Sequence, residues 1–248
     1  MIDYHPYDVR ISGETKVNAH NIERIEANCQ GKTTIRFVTM GDSQRWYDET
    51  EDFVKEINKR NDIDFVIHGG DMSDFGLTKE FLWQRDIMNG LNVPYVVLIG
   101  NHDCLGTGAE TYKAVFGPTN FSFIAGNVKF VCLNTNALEY DYSEPVPNFT
   151  FMEQEITSRL DEFEKTVISM HARPYTDVFN DNVAKVFQHY IRQYPGIQVC
   201  TAAHTHHYQD DVIFDDGIHY VTSDCMDYRT YLVFTITPEK YEYELVKY

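Results

Sequence analysis

The feature that most constrains the fold is a series of short apolar segments that each end at side chains able to bind a metal ion. In chain order the sets are Asp42 with Gln44, Asp71 with Asp74, Asn101 with His102 and Asp103, His171, and His204 with His206. Helical patterns separate the first three segments, and this alternation is typical of a buried sheet covered by helices. Because ligands of an open α/β sheet bind beyond the carboxyl ends of its strands, we expect these side chains to converge. Carboxylate, amide and imidazole donors together suit Mn²⁺, Fe or Zn²⁺.

The other segments predict a β-rich middle and tail and a short N-terminal appendage. Strands are predicted at residues 33–40, 64–68, 93–99, 121–124, 128–133, 166–170 and 197–202, with helices at residues 47–59, 78–88, 156–163 and 183–194. The tail predicts three or four antiparallel strands, at residues 212–214, 219–222, 231–236 and 241–246. Residues 7–11 predict a strand, and residues 18–27 predict a helix capped by Asn18. We expect one domain over residues 33–248, with residues 1–32 as an appendage that packs on its core.

The charge balance limits which partners the chain can bind. Asp and Glu total 38 and Lys and Arg total 21, so the net charge is −17. A surface this negative disfavours non-specific nucleic-acid binding and anionic lipids. No apolar run approaches the length that spans a bilayer, and five scattered cysteines argue against a disulfide scaffold. The chain begins without a signal-peptide pattern, so we expect a cytoplasmic protein, with an exported mature protein that has lost its leader as the alternative.

The polar sets resemble, in order, the five sequence blocks of the calcineurin-like metallophosphoesterases. Those blocks run Asp-x-His, Gly-Asp-x-x-Asp, Gly-Asn-His-Asp/Glu, His and Gly-His-x-His. This chain has Asp42-Ser43-Gln44, Gly70-Asp71-Met72-Ser73-Asp74, Gly100-Asn101-His102-Asp103, His171 and Ala203-His204-Thr205-His206. The resemblance spans about residues 33–236. It implies an α/β (α+β) fold, a four-layer α/β/β/α sandwich of two facing mixed sheets flanked by helices.

The resemblance also implies a metal-dependent hydrolase that cleaves a phosphomonoester or a phosphodiester, with a metal-bound hydroxide as the nucleophile. Two metal ions, Mn, Fe or Zn, are the implied cofactors, and Asp71 resembles the carboxylate that bridges them. The other implied ligands are Asn101, His171 and His204 at the second ion, and Asp42, Gln44 and His206 at the first. His102 resembles the residue that stabilises the transition state or protonates the leaving oxygen, with Asp74 orienting it.

Two positions depart from the family pattern. Gln44 stands where most members have His, so the first site would bind more loosely, hold a different ion, or use Gln44 only through water. Ala203 replaces the glycine before His204 and removes no ligand. The Gln44 departure keeps open a second hypothesis, a degenerate member that binds metal or phosphate without turnover. A nuclease is a third hypothesis, which the charge of −17 and the lack of a basic patch disfavour.

The sequence offers few candidates for the substrate side of the site. Arg173, two residues after His171, is a candidate contact for a substrate phosphate because its guanidinium can bind bidentately. Tyr140 and Tyr142 lie in a long polar loop and are candidates for lining a substrate pocket. We expect a small phosphorylated substrate, such as a nucleotide or a lipid headgroup.

Overall fold

The computed structural model describes residue 5, residues 7–140 and residues 144–248, in which helices and strands alternate. The helices are α1 (Val17–Cys29), α2 (Tyr47–Ile57), α3 (Thr78–Met88), α4 (Gly108–Val115), α5 (Phe149–Thr157) and α6 (Ala184–Ile191). The strands are β1 (Ile35–Met40), β2 (Phe65–His68), β3 (Tyr95–Val97), β4 (Phe121–Ala125), β5 (Val128–Leu133), β6 (Lys165–Met170), β7 (Ile197–Ala202), β8 (Gln209–Asp211), β9 (Tyr220–Thr222), β10 (Thr230–Ile236) and β11 (Tyr241–Lys247).

The strands form two mixed sheets. The first has the order β11-β10-β1-β2-β3, in which β1, β2 and β3 run parallel while β10 and β11 are antiparallel to their neighbours. The second has the order β4-β5-β6-β7-β9-β8, in which β5, β6, β7 and β9 run parallel and the two outer strands are antiparallel. Each sheet therefore has one edge at which several parallel strands end together.

A core of phenylalanine rings lies between the two sheets. Phe37 of β1 contacts Phe65 of β2 and Phe234 of β10 in its own sheet, and Phe130 of β5 in the opposite sheet, with ring centroids 4.9 to 5.5 Å apart. Phe123 of β4 stacks on Phe130 at 5.0 Å. All five rings are buried. Such pairs add about 0.5–1.5 kcal/mol each beyond the burial of apolar area, so this core holds the sheets face to face.

Helices cover the outer face of each sheet. α2, α3 and α4 pack on the first sheet, where Phe53, Val54 and Ile57 of α2 are buried as their spacing predicts. α5 and α6 pack on the second sheet, with Phe187 and Ile191 of α6 in the core. The four-layer sandwich of two facing mixed sheets flanked by helices, predicted from the sequence, is confirmed.

α1 covers the side of the sandwich where the edge strands β3 and β4 lie. The side-chain amide of Asn18 donates to the Val97 carbonyl and accepts from the Val97 N–H, both at 2.9 Å, as a neighbouring strand would. Glu26 accepts the Ile124 N–H of β4 at 2.9 Å. These edges would otherwise leave backbone groups without partners. The prediction that Asn18 caps α1 is wrong, because the sheet edge uses its amide and the helix already begins at Val17.

Residues 7–16, before α1, form irregular chain that lies on the core. Residues 7–11, predicted as a strand, form none. The buried guanidinium of Arg85 in α3 donates to the carbonyls of Ser12 and Glu14 at 2.7 and 2.8 Å, and Thr107 donates to the Tyr7 carbonyl at 2.8 Å. Side-chain donors thus satisfy backbone that a sheet neighbour would otherwise pair. The division of the chain at residue 32 stays a prediction.

α5 ends earlier than its apolar spacing predicts. It stops at Thr157, so Leu160 is 49 % exposed and does not continue the buried helix face. The buried ammonium of Lys129 on β5 accounts for this end. It donates to the Glu155 and Ser158 carbonyls at 2.6 and 2.9 Å, and a cation at this position satisfies the last carbonyls of a helix.

The tail is only partly antiparallel. β9 runs parallel to β7 inside the second sheet. Residues 212–214, predicted as a strand, lie in a loop just after β8. β8 reads Gln-Asp-Asp, a composition that strand propensity disfavours, and its pairing with β9 decides its conformation. Among the helices of the described residues, none is long and apolar enough to cross a membrane.

Candidate metal centre

The five polar sets lie at the edge where the parallel strands of both sheets end. Asp42, Asp71 and Asn101 come after β1, β2 and β3 of the first sheet, and His171 and His204 come after β6 and β7 of the second. Ligand atoms of Asp42, Asp71 and His171 all lie within 4.8 Å of one another, and the three side chains are buried. The facing of the two sheets therefore brings together residues that are far apart in the chain.

The backbone at this edge adopts conformations that L-residues rarely take. Asp42, Asp71, His204 and His206 have φ values of +51°, +58°, +75° and +62°, and Arg45 has +61°. A non-glycine residue in this region costs about 1–3 kcal/mol, and such residues cluster at functional sites. The strain indicates that the placement of the side chains, rather than the intrinsic preference of the backbone, decides the conformation here.

Two glycines allow the loops after β2 and β3 to approach each other. A Cβ on Gly100 would lie 2.0 Å from Oδ1 of Asp71. A Cβ on Gly70, whose φ is +105°, would lie 2.8 Å from Nδ1 of His171. A side chain at either position would displace a candidate ligand.

Ala203, the second departure from the family pattern, is accommodated by glycines on the facing loops. A Cβ added to Gly41 or Gly69 would lie 3.0 or 2.9 Å from the Ala203 Cβ. Because Gly41 and Gly69 have no side chains, there is room for the methyl group of Ala203. Ala203 is fully buried and removes no donor from the site.

Two histidines present ring nitrogens to one oxygen of Asn101. Nε2 of His171 and Nδ1 of His204 each lie 3.0 Å from Asn101 Oδ1. Their other nitrogens face groups that only accept, the Gly69 carbonyl at 2.8 Å and an Asp177 carboxylate oxygen at 2.6 Å. When each ring is neutral, its one N–H is on the outer nitrogen, where it donates to the Gly69 carbonyl or the Asp177 carboxylate. The inner nitrogen of each ring then directs its lone pair at Asn101 Oδ1, which also carries lone pairs. Three lone pairs repel one another unless a cation lies between them, so this arrangement fits a metal ion.

A second group of candidate metal ligands surrounds Asp42. Oδ1 of Asp42 and Oε1 of Gln44 are buried and have no hydrogen-bond partner among the described residues. Nε2 of His206 lies 3.6 Å from the same Asp42 oxygen, while the other oxygen accepts the His204 N–H at 2.9 Å. A buried oxygen without a partner costs about 1–3 kcal/mol. Both unpartnered oxygens therefore fit the ligand role that the resemblance implies for them.

Without a metal ion, the raised pKa of His171 favours a proton on its inner nitrogen, in the place of that cation. Burial raises the pKa of Asp42 to about 7, although the His171 charge opposes this. Burial also acts to raise the pKa of Asp71, yet the charge and hydrogen bond of His171, 3.5 Å away, leave it below its usual value. Burial lowers and the Asp71 charge raises the pKa of His171, with a net rise to about 9. A bound metal ion would replace this proton, as metal binding generally does.

Asp103, the last member of its polar set, uses both carboxylate oxygens in hydrogen bonds to the neighbouring loops. Oδ2 accepts the N–H groups of Asp71 and Gly100, and Oδ1 accepts the N–H and hydroxyl of Ser73, all at 2.9 Å. Burial, followed by the charge of Asp71, raises its pKa to about 7. With both oxygens used, Asp103 joins the loops after β2 and β3 and is not a ligand candidate.

His102 lies beside the cluster and donates its backbone N–H to Asp71 Oδ1 at 2.9 Å. Its Nδ1 lies 2.8 Å from the backbone carbonyl of Asp74 and 3.7 Å from the Asp74 carboxylate. Nη2 of Arg45 binds that carboxylate at 2.5 Å. The expectation that the Asp74 carboxylate orients His102 is therefore corrected: the Asp74 carbonyl makes the hydrogen bond, because Arg45 draws the carboxylate away.

His68, at the end of β2, joins the loops that carry Asp42 and Asp71. Its Nδ1 accepts the Gly70 N–H at 3.1 Å, so the proton is on Nε2, which lies 2.8 Å from the Ser43 hydroxyl. Burial is the main cause that lowers its pKa to about 3. His68 is thus a neutral structural residue.

The candidate substrate contacts predicted from the sequence are Arg173, Tyr140 and Tyr142. Arg173 donates through Nη2 to Gln209 and Asp211 of β8 at 2.8 and 2.9 Å, and its side chain is 13 % exposed, so its contact with a substrate phosphate stays a prediction. The hydroxyl of Tyr140 accepts from the Cys104 thiol at 3.5 Å, at the turn that follows His102. Tyr142 lies outside the described residues.

A cleft of about 310 Å³ opens beside the cluster. Its walls include Gln44, Arg45, Trp46, His102, His206 and Tyr228. Arg45 was not predicted, although its place directly after the first block signals proximity to the site. Asp177 was also not predicted, and no motif marks it. A larger groove of about 640 Å³ between α2 and α3 contains none of the candidate ligands.

The family model described as "Calcineurin-like phosphoesterase" matches residues 35–208, well over half of the chain. No curated protein sequence matches it. Among solved structures, a dimetal phosphatase from Danio rerio is 12 % identical with a TM-score of 0.68, over 87 % of this chain and 98 % of that chain. GAP50, described as the anchor in the inner membrane complex of Plasmodium, is 11 % identical with a TM-score of 0.66, over 87 % and 85 %.

Purple acid phosphatase PPD1 from yellow lupin, Lupinus luteus, is 14 % identical with a TM-score of 0.64. The match covers 88 % of this chain and 52 % of that one, so the chain spans about half its length. At these identities the likeness shows the fold alone. The sequence match and the shared fold agree, and this chain belongs to the calcineurin-like phosphoesterases, a family of metal-dependent phosphoester hydrolases.

Proposed function

We propose that this chain hydrolyses a phosphomonoester or a phosphodiester of a small molecule with two bound metal ions. The observation that carries the proposal is the cluster of Asp42, Asp71 and His171, with buried ligand atoms within 4.8 Å of one another. Buried carboxylates at this spacing call for a compensating cation. Family membership supplies the reaction class.

The proposed ligands divide between two ions that share Asp71. The others are Asn101, His171 and His204 at one ion, and Asp42, Gln44 and His206 at the other. When bound, such ions lower the pKa of a coordinated water towards neutrality and offset the charge of the phosphoryl oxygens. Oxygen and imidazole donors without a thiolate suit Mn, Fe or Zn ions.

His102 is the proposed proton donor to the leaving oxygen. The Asp74 carbonyl at 2.8 Å only accepts, so Nδ1 keeps a proton and Nε2 is left to exchange one. Burial acts to lower the pKa of His102, but the hydrogen bond to Asp74 and the charge of Asp71 give a net rise. A raised pKa favours the protonated ring that general acid catalysis requires.

Arg45 is the proposed contact for a substrate phosphate, because its side chain is more exposed than that of Arg173. It lines the cleft together with His102, and its side chain is 59 % exposed although one nitrogen binds Asp74. A guanidinium has five donors, so one ion pair leaves most of them for a phosphate. In a chain of charge −17, this local cation also reduces the repulsion of an anionic substrate.

Hydrolysis of bis(p-nitrophenyl) phosphate and p-nitrophenyl phosphate by chelator-stripped protein tests the proposal. Adding Mn²⁺ back should restore turnover. Asp71→Asn should lose metal and turnover together, whereas His102→Ala should keep metal and lose about 10²–10⁴-fold in rate. Glu153→Gln, at an exposed carboxylate of α5, should behave as the wild type. A folded, metal-loaded protein that hydrolyses neither ester, or turnover that survives Asp71→Asn, would contradict the proposal.

A second candidate function is binding of metal or phosphate without turnover. Gln44 in the place of a stronger imidazole donor favours it, and GAP50, with the same fold, is described as an anchor. The Gln44→His variant distinguishes the two. A large gain from near-zero activity would support the binding-only function, and an active wild type with little change in Gln44→His would support the hydrolase.

A further inference from the structure

The loop after β6 places an exposed carboxylate against one of the proposed metal ligands. Oδ1 of Asp177 lies 2.6 Å from Nε2 of His204, on the side of the ring opposite to Asn101. The His204 side chain is 11 % exposed, whereas the Asp177 side chain is 88 % exposed. A carboxylate only accepts, so this contact keeps the His204 proton on Nε2 and leaves the Nδ1 lone pair directed at the cluster.

The loop holds Asp177 firmly even though its side chain is exposed. The N–H and the hydroxyl of Thr176 both donate to the Arg173 carbonyl, at 3.3 and 2.8 Å. On the other side, Val178 and Phe179 are buried, and the Val178 carbonyl accepts the Leu138 N–H at 3.2 Å. Both neighbours of Asp177 are therefore held, so the backbone of Asp177 is fixed beside the His204 ring.

Arg173 is part of this support. Its guanidinium donates to Gln209 and Asp211 of β8, and its carbonyl receives the two Thr176 donors. The residue that sequence reasoning assigned to substrate phosphate thus braces the loop that carries Asp177.

The proposed ligand histidines differ in how their outer nitrogens are held. The Gly69 carbonyl holds His171, and the Asp177 carboxylate holds His204. For His206, no hydrogen bond to a ring nitrogen is found among the residues that the structure describes, and its side chain is 44 % exposed. The negative charge of Asp177 makes the inner nitrogen of His204 a stronger metal ligand than a neutral hydrogen-bond acceptor would.

We propose that Asp177 is a positioning residue that strengthens the metal site containing Asn101, His171 and His204. It does so by fixing the ring orientation and the tautomer of His204. The inference rests on the proposed metal ligands but not on turnover. An exposed ion pair alone contributes little to stability, so the effect should be seen in metal affinity and not in folding.

Metal titration of the chelator-stripped protein tests this role. Asp177→Ala should weaken the binding of one Mn²⁺ about 10–100-fold and leave the other ion within about threefold of the wild type. Asp177→Asn should recover part of the loss, because its amide oxygen can still accept the His204 N–H. Glu153→Ala, another exposed carboxylate removed, is the matched control. Thermal unfolding without metal verifies that each variant is folded.

A double-mutant comparison connects the effect to His204. In a His204→Ala background, Asp177→Ala should have no further effect on Mn²⁺ affinity, because the residue acts through that ring. Equal affinities of wild type and Asp177→Ala, a loss equal in both sites, or an undiminished effect in the His204→Ala background would each overturn the inference. So would a wild type that binds no divalent ion. Metal-bound wild type without turnover, combined with a selective loss in Asp177→Ala, would refute the proposed hydrolase and uphold Asp177.

Discussion

Replacing His68 with asparagine should remove a pH dependence of stability that the buried ring gives to the wild-type protein. The ring joins two loops of the site through the Gly70 N–H and the Ser43 hydroxyl, and burial lowers its pKa from 6.5 to about 3. An asparagine oxygen can still accept from Gly70 but does not titrate. The variant therefore keeps one contact and loses the proton linkage.

The expected magnitude follows from the two pKa values. Below pH 6.5 the unfolded chain takes up a proton at His68, while the folded ring stays neutral down to about pH 3. The unfolded state then binds more protons than the folded state, so the free energy of unfolding falls as the pH decreases. Between about pH 7.5 and about pH 5 this one group should contribute a loss of about 2 kcal/mol.

Urea unfolding of both proteins in the presence of a chelator, at about pH 7.5, 6.5 and 5, measures this loss. His68→Asn should be less stable at pH 7.5, because the variant loses packing and the Ser43 contact. Its disadvantage should shrink by about 2 kcal/mol at pH 5, since all other titrating groups are common to the two proteins. Parallel pH dependences would refute the reasoning, because they would mean that His68 titrates alike in the folded and unfolded states.

Three further changes test other parts of the structure. Gly100→Ala should abolish tight metal binding in a Mn²⁺ titration, since its Cβ would lie 2.0 Å from Asp71 Oδ1; Gly90→Ala, with no atom nearer than 3.0 Å, is the control. Lys129→Ala should lower the free energy of unfolding by about 3–5 kcal/mol, because Glu155 loses its buried partner, and it should leave the metal affinity unchanged. A smaller loss of unfolding free energy, measured by urea unfolding, would contradict this. Arg45→Ala should weaken inhibition by inorganic phosphate about tenfold, whereas Arg192→Ala should not; equal inhibition constants would exclude Arg45 as the phosphate contact.

The strands that carry the site, and the candidate ligands at their ends, follow from local sequence pattern. β1, β2, β3, β6 and β7 are apolar runs whose extent is a local property, and the polar residue that follows each run is read directly from the sequence. The topological rule that ligands bind beyond parallel strand ends then places the candidate ligands at one edge. Within each sheet the rule requires only that the strands run parallel, which strand–helix alternation already predicts. The facing of the two sheets, a tertiary contact, brings the two groups of strand ends together.

Tertiary structure alone decided which partners the other polar side chains take. Asn18 reads as a helix cap, but it pairs with Val97, 79 residues away. Arg173 reads as a phosphate contact, but β8 binds it. Asp177 carries no motif, and only the meeting of two loops brings it to His204, 27 residues away. Hydrogen bonds act over about 3 Å, so a partner that the chain brings close only by folding leaves no periodicity or spacing in the sequence.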